Sequence, residues 1–152
     1  MNRQLLDAEL NRDEGRRYVI YYDDLGVPTT GVGHNLRAKP LPVGWTYPLT
    51  GAQVDQLEDY DVNVALAELD LHLAWWRKLD EVRQRVIANM CFQLGITRLL
   101  GFHNTLAAMA AQKYALAAAG MKNSLWYQQS GNRSVRLVQA MLTGVMPDEP
   151  KV

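Results

Sequence analysis

Asp13-Glu14-Gly15-Arg16-Arg17-Tyr18-Val19-Ile20-Tyr21-Tyr22-Asp23-Asp24-Leu25-Gly26-Val27-Pro28-Thr29-Thr30-Gly31-Val32-Gly33-His34 carries more structural instruction than any other part of this chain. The run from Arg16 to Tyr22 is rich in β-branched and aromatic residues, which suit a pleated surface. Asp24-Leu25-Gly26 follows with turn chemistry and a glycine where a positive φ is expected. The pattern predicts a β-hairpin with Val27 to His34 as its return strand, within a three-stranded antiparallel sheet from about Arg16 to Leu36. Strict alternation then places Thr29, Gly31 and Gly33 on one face and Thr30, Val32 and His34 on the other. The first face carries one hydroxyl beside two positions without side chains, a pattern that often marks close approach to backbone. Glu14 stands just upstream, near the end of a short amphipathic helix bearing Leu5, Leu6, Ala8, Glu9 and Leu10. Helix end, hairpin and return strand can face one another across a cleft.

Beyond the hairpin, residues 36–48 hold Pro40, Pro42, Gly44 and Pro48 with Trp45 and Tyr47 among them, a composition that breaks regular structure. Packing of the two aromatic rings against the loop is favoured over stacking on a ligand. Thr50-Gly51-Ala52-Gln53 has the capping-box pattern and predicts a long helix, with Val54, Leu57, Val64, Ala65 and Leu71 as its apolar stripe and Asp55, Glu58, Asp59 and Glu68 mostly elsewhere. From Leu71 onward, helical periodicity is interrupted at Gly95, Gly101, Gly120, Gly131 and Gly144, which predicts several short helices in one lobe. The expected class is α+β: a small N-terminal hairpin lobe joined by a long helix to a helical C-terminal lobe.

At 152 residues the chain suits one domain, residues 1–152. Its subdivision is a small lobe of about 14–50, a connecting helix of about 50–70 and a helical lobe of about 71–147 on which helix 3–13 packs. The apolar fraction of 48% suits a globular protein, and no apolar run approaches a membrane span, so stable membrane insertion is not expected. Cys91 is the single cysteine, which excludes an internal disulfide; between Met90 and Phe92 it reads as a core residue. His34, His72 and His103 are far apart without metal-ligand spacing, so neither metal nor cofactor is expected. Net charge is zero, but residues 1–60 hold six Lys/Arg against nine Asp/Glu and residues 61–152 hold ten against seven. The basic second half suits an anionic polymer such as a cell wall and is too weak to indicate nucleic acid. Acidic residues occupy the place where a signal peptide would have its apolar segment.

Glu14, Asp23 and Thr29 are the leading candidates for chemistry. Hydrolysis of a glycosidic bond needs one carboxyl to protonate the leaving oxygen and a second to handle water or the developing charge on the sugar. The glycine pair is no dinucleotide site, because the third glycine and following helix are absent.

Asp13-Glu14-Gly15, Tyr21, Asp23, Gly26, Thr29, Gly31-x-Gly33-His34, Asn89-Met90-x-Phe92-Gln93-x-Gly95, Gly101-Phe102-x-Asn104 and Trp126-Tyr127-x-Gln129-x-x-Asn132-Arg133 together resemble the phage-type lysozymes, the muramidase endolysin family of T-even phages. The resemblance implies a lysozyme-like fold. It also implies that Glu14 is the general acid, that Asp23 activates or positions water, and that Thr29 helps hold that water. It places Phe92 and Gln93 on a cleft wall with Thr105 opposite, Asn35 and Gly120 as further substrate contacts, and His34 paired with Asp61. Arg133 is expected near Glu14, while Trp126 and Tyr127 read as packing anchors. The loop at 36–48 is shorter than the family's corresponding stretch. The implied protein is a monomeric endolysin acting on periplasmic peptidoglycan, waiting in the host cytoplasm without a signal peptide and depending on a holin for release. Alternatives are a lysozyme domain of a phage tail or a wall-binding relative without catalysis.

Overall fold

The computed structural model describes residues 1–152. In chain order the elements are α1 (Arg3–Glu14), β1 (Arg17–Tyr22), β2 (Pro28–Gly31), β3 (His34–Asn35), α2 (Gly51–His72), a 3-10 turn (Ala74–Lys78), α3 (Glu81–Leu94), α4 (Ile96–Leu100), α5 (His103–Ala110), α6 (Tyr114–Lys122), α7 (Leu125–Gln129) and α8 (Asn132–Thr143). A hairpin lobe is joined by α2 to a helical C-terminal lobe, which is the lysozyme-like arrangement. The compact units are Leu10–Val64 on one side and Met1–Glu9 with Ala65–Val152 on the other, so the division passes through α1 and α2.

The sheet is antiparallel in the order β1-β2-β3. Arg17 pairs with Gly31, Tyr21 with Thr29 and Tyr22 with Pro28, with an irregularity between Arg17 and Tyr21 that inserts extra residues on β1. Thr30 bridges it by donating from Oγ1 to the Val19 carbonyl at 3.0 Å. Thr29 and Thr30 pair with Asn35 and His34 of β3. The expected return strand from Val27 to His34 is corrected: β2 stops at Gly31, and Val32-Gly33 turn the chain into β3. Gly31 and Gly33 have φ of 62° and 65°, a left-handed backbone that glycine adopts without penalty, so alternation cannot run through them.

The capping box opens α2 as expected. Gln53 N–H donates to Thr50 Oγ1 at 3.1 Å, and Thr50 N–H donates to Gln53 Oε1 at 2.9 Å. The stripe on α2 is corrected in register. Val54, Leu57, Val62, Ala65 and Leu69 are buried, whereas Val64 and Leu71 are exposed. Glu58 lies on the buried side, accepting from Asn11 Nδ2 at 2.8 and 3.0 Å. A carboxylate there breaks the apolar pattern, so Glu58 departs from the expectation that the acidic residues lie mostly off the stripe. In the loop before α2, Leu49 is the buried anchor and donates its N–H to the Tyr18 carbonyl at 2.7 Å, while Tyr47 is exposed rather than packed down.

The helical lobe packs on Trp76, Ile87, Met90, Leu99, Met109, Met121, Leu137 and Met141, all fully buried. Asp80 caps α3, Ser124 caps α7, and Gly144 ends α8 in the left-handed conformation. Gly120 does not interrupt a helix as its composition suggested, since it lies inside α6. Cys91 is buried, and burial pushes its thiol up to about 12, so it behaves as a core residue.

Candidate active site

In the hairpin lobe, α1 ends on Glu14, and Gly15 with φ of 73° releases the chain into β1. The half-buried Glu14 side chain returns over the β2-β3 turn. A Cβ on Gly33 would stand 2.9 Å from both Cδ and Oε2 of Glu14. Gly33 is therefore required twice, for its backbone conformation and for the space the carboxyl occupies.

Asp23 sits at the end of β1, where its Oδ1 accepts from the N–H groups of Leu25 at 2.9 Å and Val27 at 2.8 Å. Both turn bonds go to Oδ1. The side chain is exposed and is anchored to the turn through this one oxygen. Gly26, with φ of 75°, completes the turn. Thr29 is buried on the strand face that carries Tyr21, and its Oγ1 donates to the Val27 carbonyl at 2.8 Å, leaving the oxygen's lone pairs as acceptors.

The opposite face holds His34, with 1% of its surface exposed. Its Nδ1 lies 2.7 Å from Asp61 Oδ2 and its Nε2 lies 2.8 Å from the Lys39 carbonyl. Both partners only accept, so both contacts are made at once by the doubly protonated ring. Burial opposes that charge most strongly, yet the hydrogen bond and charge of Asp61 together with the Lys39 carbonyl outweigh it and raise the His34 pKa. The pair ties β3 to α2. Asn35 is exposed, and its Oδ1 accepts from Arg37 N–H at 2.9 Å and Ala38 N–H at 3.0 Å. The Asn35 side-chain carbonyl thus caps the turn that follows β3.

In the helical lobe, Phe92 and Gln93 lie half-buried near the end of α3. The Gln93 amide is engaged at both ends: Oε1 accepts from Trp126 Nε1 at 2.8 Å and Nε2 donates to Ser130 Oγ at 3.1 Å. Trp126 is buried with Phe102 edge-on at 6.2 Å, a packing anchor as expected. Thr105 of α5 and Gly120 of α6 are brought together, since a Cβ on Gly120 would fall 2.3 Å from Thr105 Oγ1. From this contact opens a groove of about 600 Å³, walled by alanines such as Ala107 and Ala108 and edged by Asn104, Lys113 and Asn123. Arg133 is buried on α8 and donates from Nε to Asn89 Oδ1 at 2.9 Å.

The phage lysozyme family profile matches residues 11–140. The chain belongs to the phage lysozyme family. "Probable T4-type lysozyme 1" of Dictyostelium discoideum is 28% identical over 163 residues, which cover 90% of this chain and 93% of that protein. "Probable T4-type lysozyme 2" of the same organism is 29% identical over 160 residues, 91% of this chain and 94% of that one. "Pre-baseplate central spike protein Gp5" of Enterobacteria phage T4 is 29% identical over 155 residues, covering 89% of this chain but 27% of its own length. Homology of this breadth points to lysozyme-like hydrolytic activity in general.

For this phage lysozyme relative, two features of the hairpin lobe escaped the sequence reading. One is the contact of Gly33 with Glu14, since a Gly-x-Gly pattern does not say what lies over it. The other is Tyr21, one of three tyrosines in β1 and half-buried where Tyr22 is 70% exposed. Its position two residues before Asp23 was the available signal, because alternation puts both on one face.

Proposed function

We propose that this protein is an N-acetylmuramidase that hydrolyses the β-1,4 bond between N-acetylmuramic acid and N-acetylglucosamine in bacterial peptidoglycan, with inversion. Glu14 gives its proton to the leaving O4 of N-acetylglucosamine. A water held by Asp23 and Thr29 attacks the anomeric carbon from the opposite face, and Asp23 accepts the proton it loses. The observation that carries this reading is the seating of the Glu14 carboxyl on Gly33, in the same lobe as an Asp23 immobilised through one oxygen and a Thr29 whose hydroxyl still accepts. Groups fixed before substrate arrives need no reorganisation during reaction. Asn35, Phe92, Gln93, Thr105 and Gly120 supply substrate contacts in this reading, with His34, Asp61 and Arg133 supporting the site.

The biological setting that fits is lysis of a host cell by a monomeric endolysin held in the cytoplasm until a holin admits it to the wall. The likeness to a phage central spike protein supports a second setting, a lysozyme domain of a phage tail. Purified peptidoglycan digested in ¹⁸O-labelled water tests the chemistry. Mass spectrometry should find the label on the new reducing end of N-acetylmuramic acid, and NMR of the earliest product should show the α-anomer. A label on N-acetylglucosamine, or an initial β-anomer, contradicts the bond or the stereochemistry proposed.

A further inference from the structure

Tyr21 shares a strand face with Thr29, its cross-strand partner, and the Arg17 guanidinium stacks 4.5 Å from the centroid of its ring. Pairing on one side and the stacked cation along the strand hold the ring, so its phenolic oxygen is delivered to one place. There it lies beside the backbone N–H of Gly33, within reach of the charge on Glu14. Gly33 is also where the missing Cβ admits the Glu14 carboxyl, with Oε2 2.9 Å from where that Cβ would stand. Hydroxyl and carboxyl converge on one glycine from two elements, β1 and α1. Burial first, then the negative charges of Glu14 and Asp23, raise the Tyr21 pKa above that of an ordinary phenol, keeping the hydroxyl protonated at neutral pH. A protonated phenol that accepts from a backbone N–H still has its own proton to donate.

We infer that Tyr21 is a positioning residue for the acid: its hydroxyl, fixed by Gly33 N–H, donates to the Glu14 carboxyl and turns the other carboxyl oxygen toward the leaving group. This rests on the proposed function, in which Glu14 is the proton donor. The role needs the hydroxyl and not the ring, which separates it from packing. Arg17 and Thr29 act on the ring alone.

Tyr21→Phe keeps the ring, its stack and its strand pairing while removing the hydroxyl. Turnover of peptidoglycan fragments by Tyr21→Phe, Tyr22→Phe and Glu14→Gln, each with its thermal unfolding curve, tests the inference. Tyr21→Phe should lower kcat by about tenfold to a hundredfold, the range for one lost hydrogen bond to a carboxyl that becomes charged as it gives up its proton, with KM within about twofold of the parent and Tm little changed. Tyr22→Phe, the same change on the exposed neighbour, should leave kcat unaltered. An unaltered kcat in Tyr21→Phe, or a loss explained by raised KM or partial unfolding, overturns the inference while leaving the proposed reaction standing. Activity retained by a folded Glu14→Gln instead overturns the reading beneath it.

Discussion

Glutamine at position 14 preserves the size and hydrogen bonding of glutamate but has no acidic proton to give. Glu14→Gln should therefore lower wall cleavage by on the order of 10²–10⁴ or more while stability holds or rises, measured as turbidity loss of permeabilised Gram-negative cells beside thermal unfolding. Asp24→Asn, exposed in the hairpin turn, should be nearly silent in the same assay. Gly33 makes a sharper test of the seating. Gly33→Ala places a methyl group 2.9 Å from the Glu14 carboxyl on a backbone at φ of 65°. The strain should cost about 1–3 kcal/mol and displace the carboxyl, so stability and turnover fall together. An alanine variant with unchanged activity would mean that Glu14 does not work from this position.

The link between β3 and α2 gives the hairpin lobe a pH dependence. His34 has a raised folded pKa, so the stability it contributes is fully present below its unfolded value of about 6.5 and is lost as pH rises through the higher folded value. Asp61→Asn keeps a carbonyl acceptor for Nδ1 but removes the charge. Thermal unfolding from pH 5 to 9 should show the variant less stable than the parent at the acid end, with the difference shrinking as His34 loses its proton. A constant offset across the range would rule out the charge as the source. The capping box of α2 was legible because its two partners stand three residues apart. The buried stripe of α2 was not, since Glu58 belongs to it and Val64 and Leu71 do not. Hydrophobicity alone cannot reveal a carboxylate that Asn11 satisfies from another helix.

One buried cation gathers the ends of the chain onto the helical lobe. Arg85 of α3 has 1% of its side chain exposed and meets Glu9 of α1, Glu81 at 2.7 Å and Glu149 of the C-terminal segment at 2.5 Å. Burial opposes its charge, and the three carboxylates outweigh that and raise its pKa. Arg85→Met should cost about 3–5 kcal/mol in urea unfolding, because Glu9, itself buried, loses its cation. The double change Glu9→Met with Arg85→Met should recover most of that loss, since an apolar pair of similar volume needs no charge compensation. A double variant as unstable as the single one would show that Arg85 acts through Glu81 and Glu149 instead.

The sequence by itself determined what depends on neighbours along the chain. A run rich in β-branched and aromatic residues specified β1, Asp23 to Gly26 specified the turn, Thr50 and Gln53 started α2, and helical periodicity specified the second lobe. Turn torsions, caps and periodicity act over a few residues, so they can be read locally. Glu14, Asp23 and Thr29 were legible as candidates for the same reason, being grouped around one hairpin. What only the tertiary structure decided are contacts whose two halves carry no local signature. Gly31 and Gly33 end a strand that alternation would have continued, Gly33 receives a carboxyl from α1, and Gly120 lies within a helix with Thr105 of another helix in the space a side chain would take. Arg85 reaches Glu9 and Glu149 across 76 and 64 residues of chain. Packing brings such groups within contact only after the chain has closed on itself, and until then a missing side chain or a buried charge has no visible partner.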